Sequence, residues 1–393
     1  MLKKLLDRKC LNIIGLNSGT SADGLDLAAV KINLVSKKPS IKFIAGKTVR
    51  YPHNLFRRLD DAINNRISSI DDLIGLDREL GAFYGTQTER FRRSLKDKKF
   101  NANLVASHGQ TVRHLPGKIK IGNKKQSATL QLGHPESIAA ATGLPLIADF
   151  RQADIARGGE GAPITSPAMH YLFADRREHR LLINIGGISN YFLFPGGGQI
   201  KKTQAADCGP GNSLMDIIAR QYFKKNYDNN GQLASKGNIS RRLLTILMAD
   251  SFLKGKFGPS TGRERFGERF VEKILENAAK LRINKQDVLA TTAELTASAV
   301  AHSIKNIIRR YRLDRVYLFG GGLKNKYLLK RLEENIPGID FLSVKNLGYD
   351  PDYLEAICYA VLGAMTIHSL SSGTRQVTGA LSDSIAGRII QAY

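Results

Sequence analysis

The sequence predicts an α/β protein of two domains, and three observations carry that prediction. The chain has 393 residues, more than one simple core accommodates and enough for two domains of ordinary size. A pair of β-prone runs joined by a turn rich in Gly, Ser, Thr, Asp or Asn occurs twice, near the N-terminus and near the middle, and helical periodicity follows each. A later β-prone run, Arg315–Phe319, meets a Gly-Gly-Gly cluster and then another helical pattern. The expected division puts residues 1–148, joined by 350–393, in the first domain and residues 149–349 in the second.

The first hairpin is expected from Leu11–Leu16 and Leu25–Asn33. Helices follow at Leu55–Arg66 and Ser69–Lys96, the second with Ile70, Leu73, Leu76, Leu80 and Phe83 at helical intervals. Asn103–Ala106 reads as a short strand ending in Ser107-His108-Gly109-Gln110-Thr111. Pro135–Thr142 reads as a helix and Leu144–Ala148 as a strand that stops at Asp149. The second hairpin joins Leu181–Ile185 to Tyr191–Phe194. Further helices are expected through Tyr222 and at Ser240–Phe252, Gly267–Leu281, Lys285–Tyr311, Lys326–Glu334 and Asp352–Met365. The two halves resemble each other in plan, with no short-period repeat.

Composition narrows the class. Hydrophobic residues make up 42% and charged residues 24%, the balance of a soluble globular chain. No apolar run reaches the roughly 18 residues that span a bilayer, and Leu11–Leu16 is too short and polar for a signal peptide. Cys10, Cys208 and Cys358 form no CxxC, which argues against a zinc site or a disulfide framework and points to the cytoplasm. The formal net charge of +24 suits an anionic partner. The basic residues are scattered, however, and no nucleic-acid signature accompanies them, so neither nucleic acid nor membrane is expected as a partner.

The glycine loops carry the chemistry. Gly19, Thr20, Ser21, Ala22, Asp23, Gly24, Leu25 and Asp26 occupy the first hairpin tip, where glycine lets backbone N–H groups approach phosphate and the hydroxyls add donors. Asp23 and Asp26 would repel phosphate unless one of them holds Mg²⁺, and Asp23 is the candidate. Alone, the loop reads equally as an ordinary Asp-Gly turn. Gly186 and Gly187 form a second phosphate-sized loop, and Gly320, Gly321 and Gly322 suit close approach to adenosine. No GxxxxGK[ST] or helix-opening GxGxxG is present, which excludes the P-loop and Rossmann plans. Two such hairpins followed by strand–GGG–helix match the plan of the actin-like ATPase and sugar-kinase superfamily.

Asp149, an acid at a strand end, is placed as a general base is placed, although a helix cap or an ion pair with Arg151 explains it too. Arg151 suits an anionic substrate group. His108 is either a substrate contact or a structural histidine.

Nine ordered blocks then identify a resemblance. They are SGTSADGLD (Ser18–Asp26), SHGQTVRH (Ser107–His114), ADFRQADIARGGEGAP (Ala148–Pro163), NIGGISN (Asn184–Asn190) and DCGPGN (Asp207–Asn212). The remainder are STGRE (Ser260–Glu264), ELTA (Glu294–Ala297), FGGGLKN (Phe319–Asn325) and PDYLEA (Pro351–Ala356). Together they resemble the anhydro-N-acetylmuramic acid kinase family along nearly the whole chain. The resemblance implies a two-lobed actin-like, ribonuclease H-like fold that closes over a central nucleotide cleft. It implies ATP and Mg²⁺ as cofactors and an anhydro amino sugar as substrate, opened by water and phosphorylated on O6. Asp149 falls at the family's catalytic base, and the Gly19–Asp26 loop at its ATP phosphate loop. His108, Gln110, Arg151, Asn212 and Glu355 fall at substrate positions. A kinase for another anhydro sugar, such as levoglucosan, or a non-catalytic relative are the alternatives. A homodimer is expected for an enzyme of this size. Asn17, His134, Cys208 and Pro259 depart from the family pattern; His134 is expected to alter the substrate pocket, and Pro259 to remove a charge near the cleft.

Overall fold

The computed structural model describes residues 5–19, 22, 24–36, 39–255, 261–262, 265–372 and 375–392. They form two compact units, residues 1–172 with 353–393 and residues 173–352. The division after Leu172, rather than after Ala148, has a physical cause. The Asp149–Pro163 stretch is bonded to the C-terminal segment: Thr378 Oγ1 donates to Asp154 Oδ1 at 2.7 Å, and the Glu160 N–H donates to the Thr378 carbonyl at 2.8 Å.

The first unit opens with β1 (Leu11–Ser18), β2 (Gly24–Asn33) and β3 (Ser40–Arg50), an antiparallel meander, and adds β4 (Leu104–Ile121) parallel to β1. β5 (Lys124–Leu132) pairs antiparallel with β4, and β6 (Leu146–Ala148) lies parallel to it. The order along the sheet is β3-β2-β1-β4-β6, with a C-terminal strand, β12 (Arg388–Ile390), antiparallel at the edge beyond β6. In the second unit β7 (Arg180–Ile185), β8 (Ile188–Phe194) and β9 (Gln204–Pro210) form the meander, with β10 (Arg315–Phe319) and β11 (Asp340–Ser343) parallel beyond it. That order is β9-β8-β7-β10-β11. With the β4–β5 hairpin counted as one strand, the same connectivity, 3-2-1-4-5, occurs twice, which is the actin-like, ribonuclease H-like α/β fold.

Each sheet buries both faces, and the sequence shows why. In the first unit Ile14, Leu16, Leu25, Leu27 and Ala29 alternate onto one face, against helices α1 (His53–Ile63), α2 (Ile70–Ser94) and α3 (Pro135–Thr142). The opposite face is covered by the helix Leu354–Ile367, which is apolar and buried along almost its whole length. Close approach there requires glycine. A Cβ on Gly15 would lie 1.9 Å from the Ala356 carbonyl oxygen, and one on Gly363 would lie 2.9 Å from Ala106 Cβ. In the second unit the helix Lys285–Tyr311 buries Val288–Ala297 and Ala299–Ala301 against the sheet and its neighbouring helices.

Several expectations are corrected. β4 does not stop at Ala106 but runs on through His108, Gln110 and His114, because β5 supplies a new antiparallel partner where the pairing with β1 ends. β3, β5, β9, β11 and the C-terminal strand lie outside the strands that the sequence predicts. The helix expected over Ser240–Phe252 is two helices, Arg241–Met248 and Ser251–Lys254, because the Asp250 carboxylate accepts the Phe252 N–H at 2.9 Å and caps a new start. His134 is a helix cap, its Nδ1 accepting the Ser137 N–H at 3.2 Å. Cys208 is a core residue of the second unit. Pro259 lies outside the described residues.

Candidate active site

In the first unit β1 and β6 end at the same level on either side of β4, and carboxyl ends of parallel strands are where open α/β sheets present ligand-binding groups. β1 ends in Asn17 and Ser18, β4 passes His108 and Gln110 at that level, and β6 stops at Ala148, immediately before Asp149. Asp149 takes φ +58°, a left-handed conformation unusual for a residue with a side chain. Its carboxylate is half-buried, and Oδ2 lies 3.0 Å from the Arg388 guanidinium. The ion pair expected with Arg151 is thus made with a residue of the C-terminal segment instead.

Arg151 is engaged elsewhere. Its Nε donates to His108 Nε2 at 3.1 Å and its NH1 donates to the Gly161 carbonyl at 2.9 Å. His108 is buried, its ring stacked on Tyr359 at 4.5 Å between centroids. Burial, and then the Arg151 charge, hold its pKa well below the usual imidazole value, so it is a neutral acceptor. One turn before Tyr359 on the helix Leu354–Ile367, Glu355 accepts a hydrogen bond from Asn17 Nδ2 at 2.7 Å. Desolvation raises the Glu355 pKa, while the Asn17 bond and the Arg151 charge oppose it. His108, Arg151, Tyr359, Glu355 and Asn17 therefore form one connected group.

A second polar chain supports the first hairpin tip. Gln110 is fully buried; its Oε1 accepts from Ser18 Oγ, and its Nε2 donates to the Gly19 carbonyl at 3.2 Å. The Tyr51 hydroxyl donates to Ser18 Oγ at 2.7 Å and meets the Tyr84 hydroxyl at 2.7 Å. The Ala22 N–H closes a turn on the Gly19 carbonyl at 3.0 Å. Leu25 turns its side chain into the core, and Thr48 Oγ1 donates to Asp26 Oδ1 at 2.6 Å. Thr20, Ser21 and Asp23 lie outside the described residues. The loop after Asp149 is held by Asp154, whose Oδ2 accepts the Gly161 N–H at 2.9 Å.

In the second unit Gly186, Gly187, Gly320, Gly321 and Gly322 come together with Asn212. The Asn212 N–H donates to the Gly186 carbonyl at 2.8 Å, the Gly211 N–H donates to the Gly187 carbonyl at 3.0 Å, and Asn212 Nδ2 donates to the Ile185 carbonyl at 3.2 Å. Gly320 sits at φ +87°, and a Cβ on Gly322 would lie 2.4 Å from Ile185 Cγ2, so the cluster packs directly on the end of β7. Asn212, expected at the substrate, stands beside this glycine cluster in the second unit.

The family model for anhydro-N-acetylmuramic acid kinase matches residues 11–392. The chain belongs to the anhydro-N-acetylmuramic acid kinase family. It is 33% identical over 380 residues to the anhydro-N-acetylmuramic acid kinase of Caldanaerobacter subterraneus subsp. tengcongensis, with 96% of each chain covered. It is 36% identical over 375 residues to that of Shewanella denitrificans, covering 95% of this chain and 96% of the relative. It is also 36% identical over 379 residues to that of Coxiella burnetii, with 96% of each covered.

Within this family member, the motif blocks explain one another structurally. PDYLEA supplies Glu355 to Asn17, SHGQTVRH supplies His108 to Arg151, and the Gly161 carbonyl completes the Arg151 clasp. Asp207 of DCGPGN accepts the Thr261 N–H of STGRE at 2.7 Å. Glu294 of ELTA is buried and accepts from Arg331 and from Asn335 Nδ2, the latter at 2.9 Å, so its place is structural. Sequence reasoning missed Ser18, Tyr51, Asp154, Tyr359, Thr378 and Arg388. Ser18 and Asp154 stand inside quoted motifs; the others carry no local signal.

Proposed function

We propose that this chain is an ATP-dependent kinase that opens the 1,6-anhydro ring of anhydro-N-acetylmuramic acid with water and phosphorylates O6. The products are N-acetylmuramic acid 6-phosphate and ADP, and the role is cell-wall recycling. Family membership and one observation support the reading: a half-exposed carboxylate, Asp149, at the end of β6, beside strand ends lined by neutral His108, fixed Arg151 and Glu355.

In this mechanism Asp149 takes a proton from the water that attacks the anomeric carbon. The C1–O6 bond breaks, and O6 with its electron pair attacks the γ-phosphorus of ATP, releasing ADP. Only one carboxylate is needed as base, because the leaving O6 passes to phosphorus instead of requiring a paired acid. His108, uncharged and bonded to Arg151, orients the guanidinium. Gln110 holds the first hairpin tip from below through Ser18 and the Gly19 carbonyl. His108, Gln110, Arg151 and Glu355 are assigned to the sugar.

The glycine loops, Gly19–Asp26, Gly186–Gly187 and Gly320–Gly322 with Asn212, are assigned to the nucleotide. Their fit rests on missing Cβ atoms, which let backbone reach phosphate and adenosine. Mg²⁺ accompanies ATP in this proposal and would neutralise phosphate charge; Asp23 is the carboxylate assigned to it. No helix among the described residues is long and apolar enough to cross a membrane. The free Cys208 and Cys358, both buried, support a cytoplasmic setting. The homodimer expected for an enzyme of this size is tested by sedimentation equilibrium.

The test is ADP release with Mg²⁺-ATP and 1,6-anhydro-N-acetylmuramic acid, with levoglucosan and sugar-free controls. Turnover that requires the muramic sugar supports the proposal. Turnover with levoglucosan alone, or silence from folded protein, refutes it.

A further inference from the structure

The carboxylate assigned as base is met by the far end of the chain. Strand β12 (Arg388–Ile390) adds antiparallel to β6, with Arg388 opposite Ala148, so a cation is delivered beside the residue that ends β6. The Arg388 guanidinium reaches Asp149 Oδ2 at 3.0 Å. The approach is specifically built. Gly387 sits at φ +90°, and a Cβ there would come within 2.6 Å of Ile147 Cγ2 and 3.2 Å of the Phe150 ring, so glycine lets the segment pass this close. The preceding residues are anchored to the same loop. Thr378 holds Asp154, and the Leu381 N–H donates to the Arg157 carbonyl at 2.9 Å.

We propose that Arg388 is a positioning residue for Asp149. It occupies Oδ2 and so turns Oδ1 toward the water whose proton is taken, fixing the rotamer of a side chain whose backbone is left-handed. The proposal rests on the reading of Asp149 as base, and Arg388 itself touches none of the reacting atoms. The two side chains remain 34% and 59% exposed, so the bond is a weak contributor to folding. Its effect is expected in the chemical step, where small misplacements of a reacting group cost rate.

The experiment compares kcat and KM for Arg388→Ala, Arg388→Gln and Arg388→Lys with the unaltered chain, and repeats the alanine variant with sub-denaturing guanidinium chloride. Asp149→Asn is measured beside them. The expected result is a fall in kcat of about tenfold for the Ala and Gln variants, with KM for sugar and ATP unchanged. Lysine keeps most of the rate, and free guanidinium restores part of it to the alanine variant. Arg388→Gln keeps a long side chain without its charge, so a folding defect in the alanine variant does not decide the matter. An unchanged kcat, or a loss that neither lysine nor guanidinium relieves, overturns the proposal. Turnover that survives in Asp149→Asn overturns the base assignment and this proposal with it. Turnover lost there but unchanged in the Arg388 variants overturns this one alone.

Discussion

Asp149→Asn preserves the shape of the side chain and removes its charge. The residue sits at φ +58°, a region that Asn enters at least as readily as Asp, so the substitution adds no backbone strain. The folding cost follows from exposure. The Asp149 and Arg388 side chains are 34% and 59% exposed, and a pair so screened is worth at most ~1 kcal/mol. For a chain of this size that is a shift of roughly 2–4 °C in the thermal midpoint. The chemical cost is larger. A general base contributes about 10²–10⁴ in rate, which is ~2.7–5.5 kcal/mol of barrier. The expected outcome is a kcat at least about a hundredfold lower in a protein that melts nearly where the unaltered chain does. A coupled assay of ADP release, run beside a calorimetric melt and an ATP titration, measures all three quantities. A variant that turns over within a factor of a few of the unaltered chain refutes the base assignment. So does a loss of activity that tracks a large fall in the melting temperature.

Four further outcomes are expected. Gly15→Ala drives a methyl into the Ala356 carbonyl oxygen, 1.9 Å from where it must sit, and should cost about 3 kcal/mol in urea unfolding because backbone cannot step aside. Gln110→Ala strips the Gly19 carbonyl and Ser18 of a buried partner; a loss of ~1–3 kcal/mol in the same assay, with a raised KM for ATP, is expected. Gly322→Ala places a methyl 2.4 Å from Ile185 Cγ2, and calorimetric titration should show ADP binding weakened by about tenfold. His108→Gln should flatten the acid side of the stability profile. The His108 pKa is lowered in the fold, so below the ordinary imidazole value near 6.5 the unfolded chain binds a proton that the native chain refuses. Stability then falls with falling pH by up to ~1.4 kcal/mol per unit, a slope that urea unfolding at pH 7.5 and 5.5 detects. Glu355, its pKa raised, acts in the opposite sense above its ordinary value, so the difference between variant and parent isolates the histidine. An unchanged slope in the variant would contradict a neutral, buried His108.

Much of this molecule is legible in its sequence. Lys285–Tyr311 and Arg315–Phe319 were bounded to the residue, since a long amphipathic period and a β-branched and aromatic run before glycines are local signals. Both hairpins were placed by their turns, and the order of motif blocks led to the family and to Asp149 as the candidate base. Those features depend on residues close together in the chain, where propensity, turn chemistry and periodicity act.

What remained illegible depends on register between distant segments. β11 and β12 have no periodicity of their own and exist because a neighbouring strand offers hydrogen bonds. β4 continues past Gly109, at φ +75°, because β5 takes over as its partner. Asn17 meeting Glu355, Thr378 meeting Asp154, and Arg388 rather than Arg151 meeting Asp149 are the same kind of fact. The residue types announce that each can pair; which partner each receives is set when the sheet fixes strand register and the helix Leu354–Ile367 settles on it, close at Gly15 of β1 and through its own Gly363. The chain's local chemistry thus named the candidate base and the loops, while long-range packing chose the groups that hold them, because a hydrogen bond has short reach and pairing distance is defined only after the backbone has folded.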